Sequence, residues 1–257
     1  MSNMTNDKTT GRDLGSGEDE GRALETRHKT ADECLLDRPA EEAVDFTDSE
    51  PWRVFRIQAE FVTGFDTMAG LGPAVTIFGS ARTPEDAPIY QAAVETARLL
   101  AQEGLAVITG GGPGIMEAAN RGAQLGGGTS VGFAIELPFE EAANPYVDIA
   151  LSFRYFFVRK TMFVKYAQAF VIFPGGFGTM DELFEALTLI QTDKIHNFPV
   201  IIYGSDYWAG LLDWLESTMA SRAKISPEDR ELFVVADSPE EVRDILAEAM
   251  NLPGRSN

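Results

Sequence analysis

Between Trp52 and Met68 the apolar residues Val54, Phe55, Phe61, Val62 and Phe65 recur at three-to-four spacing, which predicts an amphipathic helix. Beyond it, short unbroken apolar runs alternate with longer helical stretches. Ala74–Gly79 (AVTIFG) predicts a strand, followed by a helix from about Ala87 to Glu103. Leu105–Gly110 (LAVITG) predicts the next strand, with a helix from about Ile115 to Leu125 behind it. Ser130–Ile135 and Asp148–Ser152 read as shorter strands ahead of a helix over Arg154–Ala167. Ala169–Phe173 (AFVIF) leads into a helix from Thr179 to about Thr192, and Pro199–Tyr203 (PVIIY) into a helix over Tyr207–Ser221. Leu232–Val235 is the last expected strand, and Pro239–Met250 the closing helix.

Runs of Val and Ile without polar alternation belong to strands buried on both faces, as in a parallel sheet covered by helices. Strands and helices joined by short connections give right-handed crossovers. The expected fold is therefore α/β: a Rossmann-like, doubly wound parallel sheet forming a single domain over residues 51–257. Residues 1–50 differ in texture, with 14 Asp/Glu against 6 Lys/Arg and few aromatics. Such a stretch buries too little apolar surface to offset the entropy of ordering, which predicts a disordered acidic tail with room for a short helix around Thr30–Leu36.

Composition narrows the function. No apolar run approaches the roughly 18–20 residues of a membrane helix, so no membrane span is expected. The opening residues lack the apolar centre of a secretory signal, which points to the cytoplasm. A net charge of −19 opposes a grip on DNA or RNA, because that grip depends on Lys and Arg neutralising phosphates. Cys34 is the only cysteine, and His28 and His196 are the only histidines, so a disulfide is impossible and a thiolate or histidine metal site is not expected.

Three expected strands end in small-residue turns: Phe78-Gly79-Ser80-Ala81-Arg82, Thr109-Gly110-Gly111-Gly112-Pro113-Gly114, and Phe173-Pro174-Gly175-Gly176-Phe177-Gly178-Thr179. Ligands of open parallel sheets sit beyond the carboxyl ends of the strands, and glycine-rich turns at helix starts suit phosphate. Neither GxxxxGK[ST] nor GxGxxG occurs, so the usual triphosphate and dinucleotide fingerprints are missing. Glu182 lies three residues after Thr179, on the same helical face. The pair either sets a carboxylate beside a phosphate-binding hydroxyl or forms a capping box. Arg159 and Lys160 interrupt an otherwise apolar helix, for a phosphate, for Glu182, or for a surface ion pair. Asp181 and Glu185 read as solvated.

These residues carry a resemblance. Pro174-Gly175-Gly176-Phe177-Gly178-Thr179-Met180-Asp181-Glu182 is similar to the PGGxGTxxE motif of the Lonely Guy (LOG) family of cytokinin riboside 5′-monophosphate phosphoribohydrolases. Arg159-Lys160-Thr161-Met162 resembles that family's RKxxM element, and Gly110-Gly111-Gly112 with Gly114-Ile115-Met116 its GGGxxGxM element. The likeness runs from about Ala74 to Met250. It implies hydrolysis of the N-glycosidic bond of a nucleoside 5′-monophosphate, with no cofactor and no metal, in a homodimer. It also implies Arg159 and Glu182 as the catalytic pair, and Gly175, Gly176, Gly178 and Thr179 as the phosphate loop. By the same resemblance Gly79, Ser80, Gly111, Gly112 and Lys160 bind substrate. Crowded aromatic and apolar residues at Phe153, Tyr155, Phe156, Phe157, Met162 and Phe163 point to dimerisation through that helix. Where the family has His and Glu before the RK pair, Phe157 and Val158 stand here, and Leu189 replaces a tryptophan two residues before Gln191. These departures bear on the base, so both a cytokinin nucleotide and an ordinary purine nucleotide such as AMP are candidate substrates. A non-catalytic nucleotide-binding or carrier module on the same fold is the alternative.

Overall fold

The computed structural model describes residues 29–37, 46–136 and 143–251. Most of the tail expected to be disordered lies outside the described residues, but its Lys29–Asp37 stretch lies inside and carries a helix, α1 (Ala31–Leu36). Thr30 caps α1 in a reciprocal box: its hydroxyl accepts the Glu33 amide at 3.2 Å, and the Glu33 carboxylate accepts the Thr30 amide at 2.8 Å. Next comes α2 (Glu50–Met68), started by Pro51 in its first turn.

Seven parallel strands follow: β1 (Ala74–Phe78), β2 (Ala106–Thr109), β3 (Ser130–Ile135), β4 (Ile149–Phe153), β5 (Ala169–Ile172), β6 (Val200–Tyr203) and β7 (Val234–Ala236). They lie in the order β4-β3-β2-β1-β5-β6-β7, all parallel, as the unbroken apolar runs predict for a doubly wound sheet. Helices α3 (Pro88–Gln102), α4 (Ile115–Leu125), α5 (Phe156–Tyr166), α6 (Phe177–Gln191), α7 (Ser205–Trp214) and α8 (Pro239–Ala249) cover both faces. On one face Val75, Ile77, Val107, Val171 and Ile201 pack under Tyr90 and Leu100 of α3, Ile115 of α4, and Val242 and Leu246 of α8. On the other, Phe78, Ile108, Phe170, Ile172 and Ile202 meet Met68, Val158, Met162, Phe163, Leu183 and Trp208. Alternate residues of each strand thus feed opposite cores, which is why the strands read as continuous apolar runs. Each large apolar side chain so buried contributes roughly 1.5–3 kcal/mol.

Several boundaries differ from the sequence reading. Helix α5 begins at Phe156, not Arg154, because β4 runs to Phe153 and the Arg154 amide and guanidinium are taken by the buried Glu60 carboxylate of α2. Helix α6 begins at Phe177, two residues before Thr179. Helix α7 gives way after Trp214 to a π-helical turn over Leu215–Ala220, so Tyr207–Ser221 is not one α-helix. Strand β7 is set by its pairing with β6, which places Ala236 beside Tyr203. The apolar surplus around α5 is also smaller than expected. Phe153, Tyr155, Met162 and Phe163 are buried in the chain's own core, and only Phe156 and Phe157 of that group are exposed.

Candidate active site

Strand order reverses at β1: β2, β3 and β4 extend one way, β5, β6 and β7 the other. The loops leaving β2, β1 and β5 therefore meet at one sheet edge, where open parallel sheets bind their ligands. They are bonded to one another. The Ser80 amide donates to the Pro174 carbonyl at 3.0 Å, and the Ile115 amide donates to the Ser80 carbonyl at 3.0 Å.

The β2 loop reaches its shape only with glycine. Gly114 precedes α4 at φ 67°, ψ −129°, and a Cβ there would lie 2.4 Å from the Ser80 carbonyl oxygen. A Cβ on Gly110 would stand 2.5 Å from Nη2 of Arg159, so the guanidinium lies directly against the loop backbone. Beneath the loop runs a buried polar network. Thr109 Oγ1 donates to Asn120 Oδ1 at 2.6 Å and accepts the Gly111 amide at 2.9 Å. Asn120 Nδ2 donates to Ser130 Oγ at 2.8 Å. Asn144 Nδ2 donates to Asn120 Oδ1 at 2.9 Å and to the Gly111 and Gly112 carbonyls at 3.1 and 3.0 Å. The sequence reading named Thr109 only as the start of its turn, and Asn120 and Asn144 escaped it. A signal existed in Asn120, a polar residue flanked on α4 by the core residues Ala119 and Ala123.

The β5 loop turns into α6 at Gly176, which makes no side-chain cap. Thr179 is buried in the first turn, and a Cβ on Gly175 would lie 2.1 Å from its Oγ1, so the hydroxyl rests on the loop itself. Tyr207 Oη donates to the Gly175 carbonyl at 2.7 Å and pins the loop from α7. Added Cβ atoms on Gly176 and Gly178 would meet nothing within 4 Å, so the crown of the loop faces open space beside the positive end of α6. The capping-box reading of Glu182 fails, because the cap position is Gly176 and Glu182 lies a turn further in.

Glu182 is 8% exposed, and its Oε2 has no hydrogen-bond partner among the described residues. Burial pushes its carboxyl up to about 7; the Lys160 ammonium opposes that, Glu185 and Asp181 add to it, and Arg159 opposes it more weakly. Arg159 projects from α5 with Nε donating to the Phe133 carbonyl at 2.7 Å and its guanidinium 5.1 Å from the Phe163 ring centroid. Burial pulls its pKa down to about 10 against the pull of Glu182, so it stays cationic at neutral pH. Arg159 and Glu182 form no ion pair; they act on each other through space. Lys160, expected to bind substrate, places Nζ 2.6 Å from Asp181, 2.7 Å from Glu185 and 3.8 Å from Glu182. Asp181 is exposed, as read, and Glu185 is half-buried; both are ion-paired to Lys160. Burial opposes the lysine's charge, but the bonds and attraction of Asp181, Glu185 and Glu182 together outweigh it and hold its pKa above the usual lysine range.

Gly79, Ser80, Gly111, Gly112, Gly175, Gly176, Gly178, Thr179, Arg159 and Glu182 thus belong to loops and helices gathered at one sheet edge. Among the described residues no group of three or more His, Cys, Asp or Glu side chains is arranged to hold a metal ion. No helix among the described residues is long and apolar enough to cross a membrane.

Residues 116–246 match the protein family described as possible lysine decarboxylase. A probable cytokinin riboside 5′-monophosphate phosphoribohydrolase of Oryza sativa subsp. japonica is 32% identical over 186 residues, spanning 70% of this chain and 80% of that protein. The cytokinin riboside 5′-monophosphate phosphoribohydrolase of Mycobacterium tuberculosis is 31% identical over 171 residues, spanning 65% of this chain and 88% of that protein. The molybdenum cofactor binding protein of the phototrophic bacterium Rippkaea orientalis matches at a TM-score of 0.52 and 23% identity, over 69% of this chain and 97% of that one. At that identity the likeness is one of fold.

Proposed function

Since the chain belongs to the Lonely Guy family, we propose that it hydrolyses the N-glycosidic bond of a nucleoside 5′-monophosphate to free base and ribose 5-phosphate. The observation that carries this reading is Glu182, a buried carboxylate with an unpartnered oxygen one helical turn beyond an open, glycine-rich helix N-terminus. The phosphate dianion sits on the loop from Gly175 to Thr179, with the dipole of α6 behind it. The ribose then extends toward Glu182 and Arg159.

As the C1′–N bond breaks, its electron pair leaves with the base and positive charge gathers on C1′ and the ring oxygen. Ionised Glu182 faces that charge, orients a water for attack on C1′ and accepts its proton. The departing base takes up a proton from solvent. Arg159 holds the substrate against the β2 loop and balances the buried carboxylate electrostatically. The same groups act on any base, so AMP and a cytokinin riboside monophosphate are both substrates of this chemistry. We further propose a cytoplasmic homodimer that needs no cofactor.

The old family description finds no chemical support here. Lysine decarboxylation needs pyridoxal phosphate carried on a lysine, and the Lys160 amine is engaged by Asp181 and Glu185. A second reading, a nucleotide or cofactor carrier, draws on the shared fold of the molybdenum cofactor binding protein. A carrier gains nothing from a buried carboxylate with a free oxygen, which is costly to desolvate.

The test is incubation with AMP, other nucleoside monophosphates and the matching nucleosides, following free base by chromatography. Release from monophosphates with little from nucleosides is expected. Equal rates on AMP and adenosine would remove the phosphate role of the Gly175–Thr179 loop, and no base from any of them would favour the carrier.

A further inference from the structure

The charges that face Glu182 come from two elements: Lys160 and Arg159 on α5, and Asp181 and Glu185 on its own helix α6. Lys160 is the one that touches all three acids. Asp181 and Glu185 are four residues apart on α6, so they flank Glu182 along the helix, and the ammonium binds both while standing 3.8 Å from Glu182 Oε1. With two strong partners already in place, this ammonium is committed to α6 and not to a phosphate. The ammonium thus stands on the Oε1 side of Glu182, while Oε2 is buried with no hydrogen-bond partner among the described residues.

We propose that Lys160 is a positioning residue: clamped between Asp181 and Glu185, it holds a positive charge beside Glu182 Oε1 and so keeps that carboxylate ionised. This role rests on the hydrolase reading given above. Three carboxylates crowd this part of α6, and mutual repulsion would otherwise favour a proton on the most buried of them. That one is Glu182, the group that must be a base. Burial already lifts it to about 7, and Lys160 is the largest opposing influence.

The carboxyl of Glu182 can be titrated directly in protein labelled with 13C-glutamate, its resonance identified by its disappearance in Glu182→Gln. The acid limb of kcat on AMP reports the same ionisation through turnover. In Lys160→Met both midpoints are expected to rise by about one pH unit, a roughly fivefold loss of kcat near pH 7 that recovers in alkali. KM should change by less than about twofold. Lys160→Arg, which keeps the charge, should bring both midpoints back toward wild type. Should Lys160→Met not fold, Glu185→Gln gives the opposite test: removing a repelling acid is expected to lower the Glu182 midpoint. An unmoved Glu182 resonance in folded Lys160→Met, or an unmoved or raised one in Glu185→Gln, overturns the proposal. A raised KM with an unshifted acid limb also overturns it and returns Lys160 to the phosphate. A wild type inert on every monophosphate would refute the hydrolase reading alone, because the titration still decides what Lys160 does.

Discussion

At the scale of single residues, the proposed role of Glu182 sets activity and stability against each other. Burial raises its carboxyl to about 7, so between the usual glutamate range and neutrality the folded chain holds a proton that the unfolded chain releases. Stability contributed by this group is therefore lost as pH rises through about 7, while its ability to act as a base is gained. Glu182→Gln is expected to melt above wild type at pH 8, with the difference vanishing near pH 5. The same substitution is expected to lower AMP turnover by about 10² to 10⁴. Paired thermal midpoints and rates at both pH values check this, and a variant that turns over normally would return Glu182 to structure. Arg159, Glu182 and the Gly175–Thr179 loop were legible beforehand, because each lies in a compact motif whose spacing survives folding. Asn120 and Asn144 were not. Their network joins β2, α4, β3 and the segment before β4, and no local pattern announces contacts between groups so far apart along the chain. For Lys160 the sequence left a phosphate, Glu182 and a surface ion pair open, because periodicity does not say that α5 lies beside α6.

At the scale of elements, the site depends on how helices and loops are held against one another. Gly110→Ala puts a methyl group 2.5 Å from Arg159 Nη2 and 2.7 Å from Met116 Sδ. The guanidinium must move, and its bond to the Phe133 carbonyl moves with it. Misplacement on that scale is expected to lower kcat/KM by about 10², with stability reduced by roughly 1–3 kcal/mol; steady-state kinetics and urea unfolding read the two effects separately. Asn144→Ala withdraws the donor that ties Gly111 and Gly112 to Asn120. A buried acceptor left without its donor costs about 1–3 kcal/mol, so the urea midpoint should fall measurably. Helix α5, which carries Arg159 and Lys160, is capped from outside the family-like region: its Phe156 amide donates to the Asp32 carboxylate of α1 at 3.1 Å. Strand and helix order could be read from periodicity almost throughout. The ends that were misplaced, at α5, α6, α7 and β7, are set by tertiary partners such as Glu60 or by pairing register, which local pattern does not encode.

At the scale of the whole molecule, the apolar surface left on α5 is Phe156 and Phe157, at 45% and 41% exposure, and at the start of α6 Phe177 stands 96% exposed. These rings sit on the two helices that bear the site residues, so the proposed dimer would bury them beside it. Light scattering at micromolar concentration is expected to give twice the monomer mass, and a monomer would remove the dimer from the proposal. The reversal of strand order at β1 has a further consequence, for the order of assembly. On a ribosome the chain emerges from its N-terminal end, and β1 through β4 can pair in succession, each with the strand just made. The opposite edge of β1 stays open until β5 arrives, since Val75 must wait for Ala169. Until then a strand whose five residues are all buried in the finished fold shows an unpaired edge, the kind of template on which nascent chains aggregate. The junction beside the candidate site therefore closes only after the β1–β4 half has been made, and a polypeptide stopped before β5 is expected to collect in the insoluble fraction.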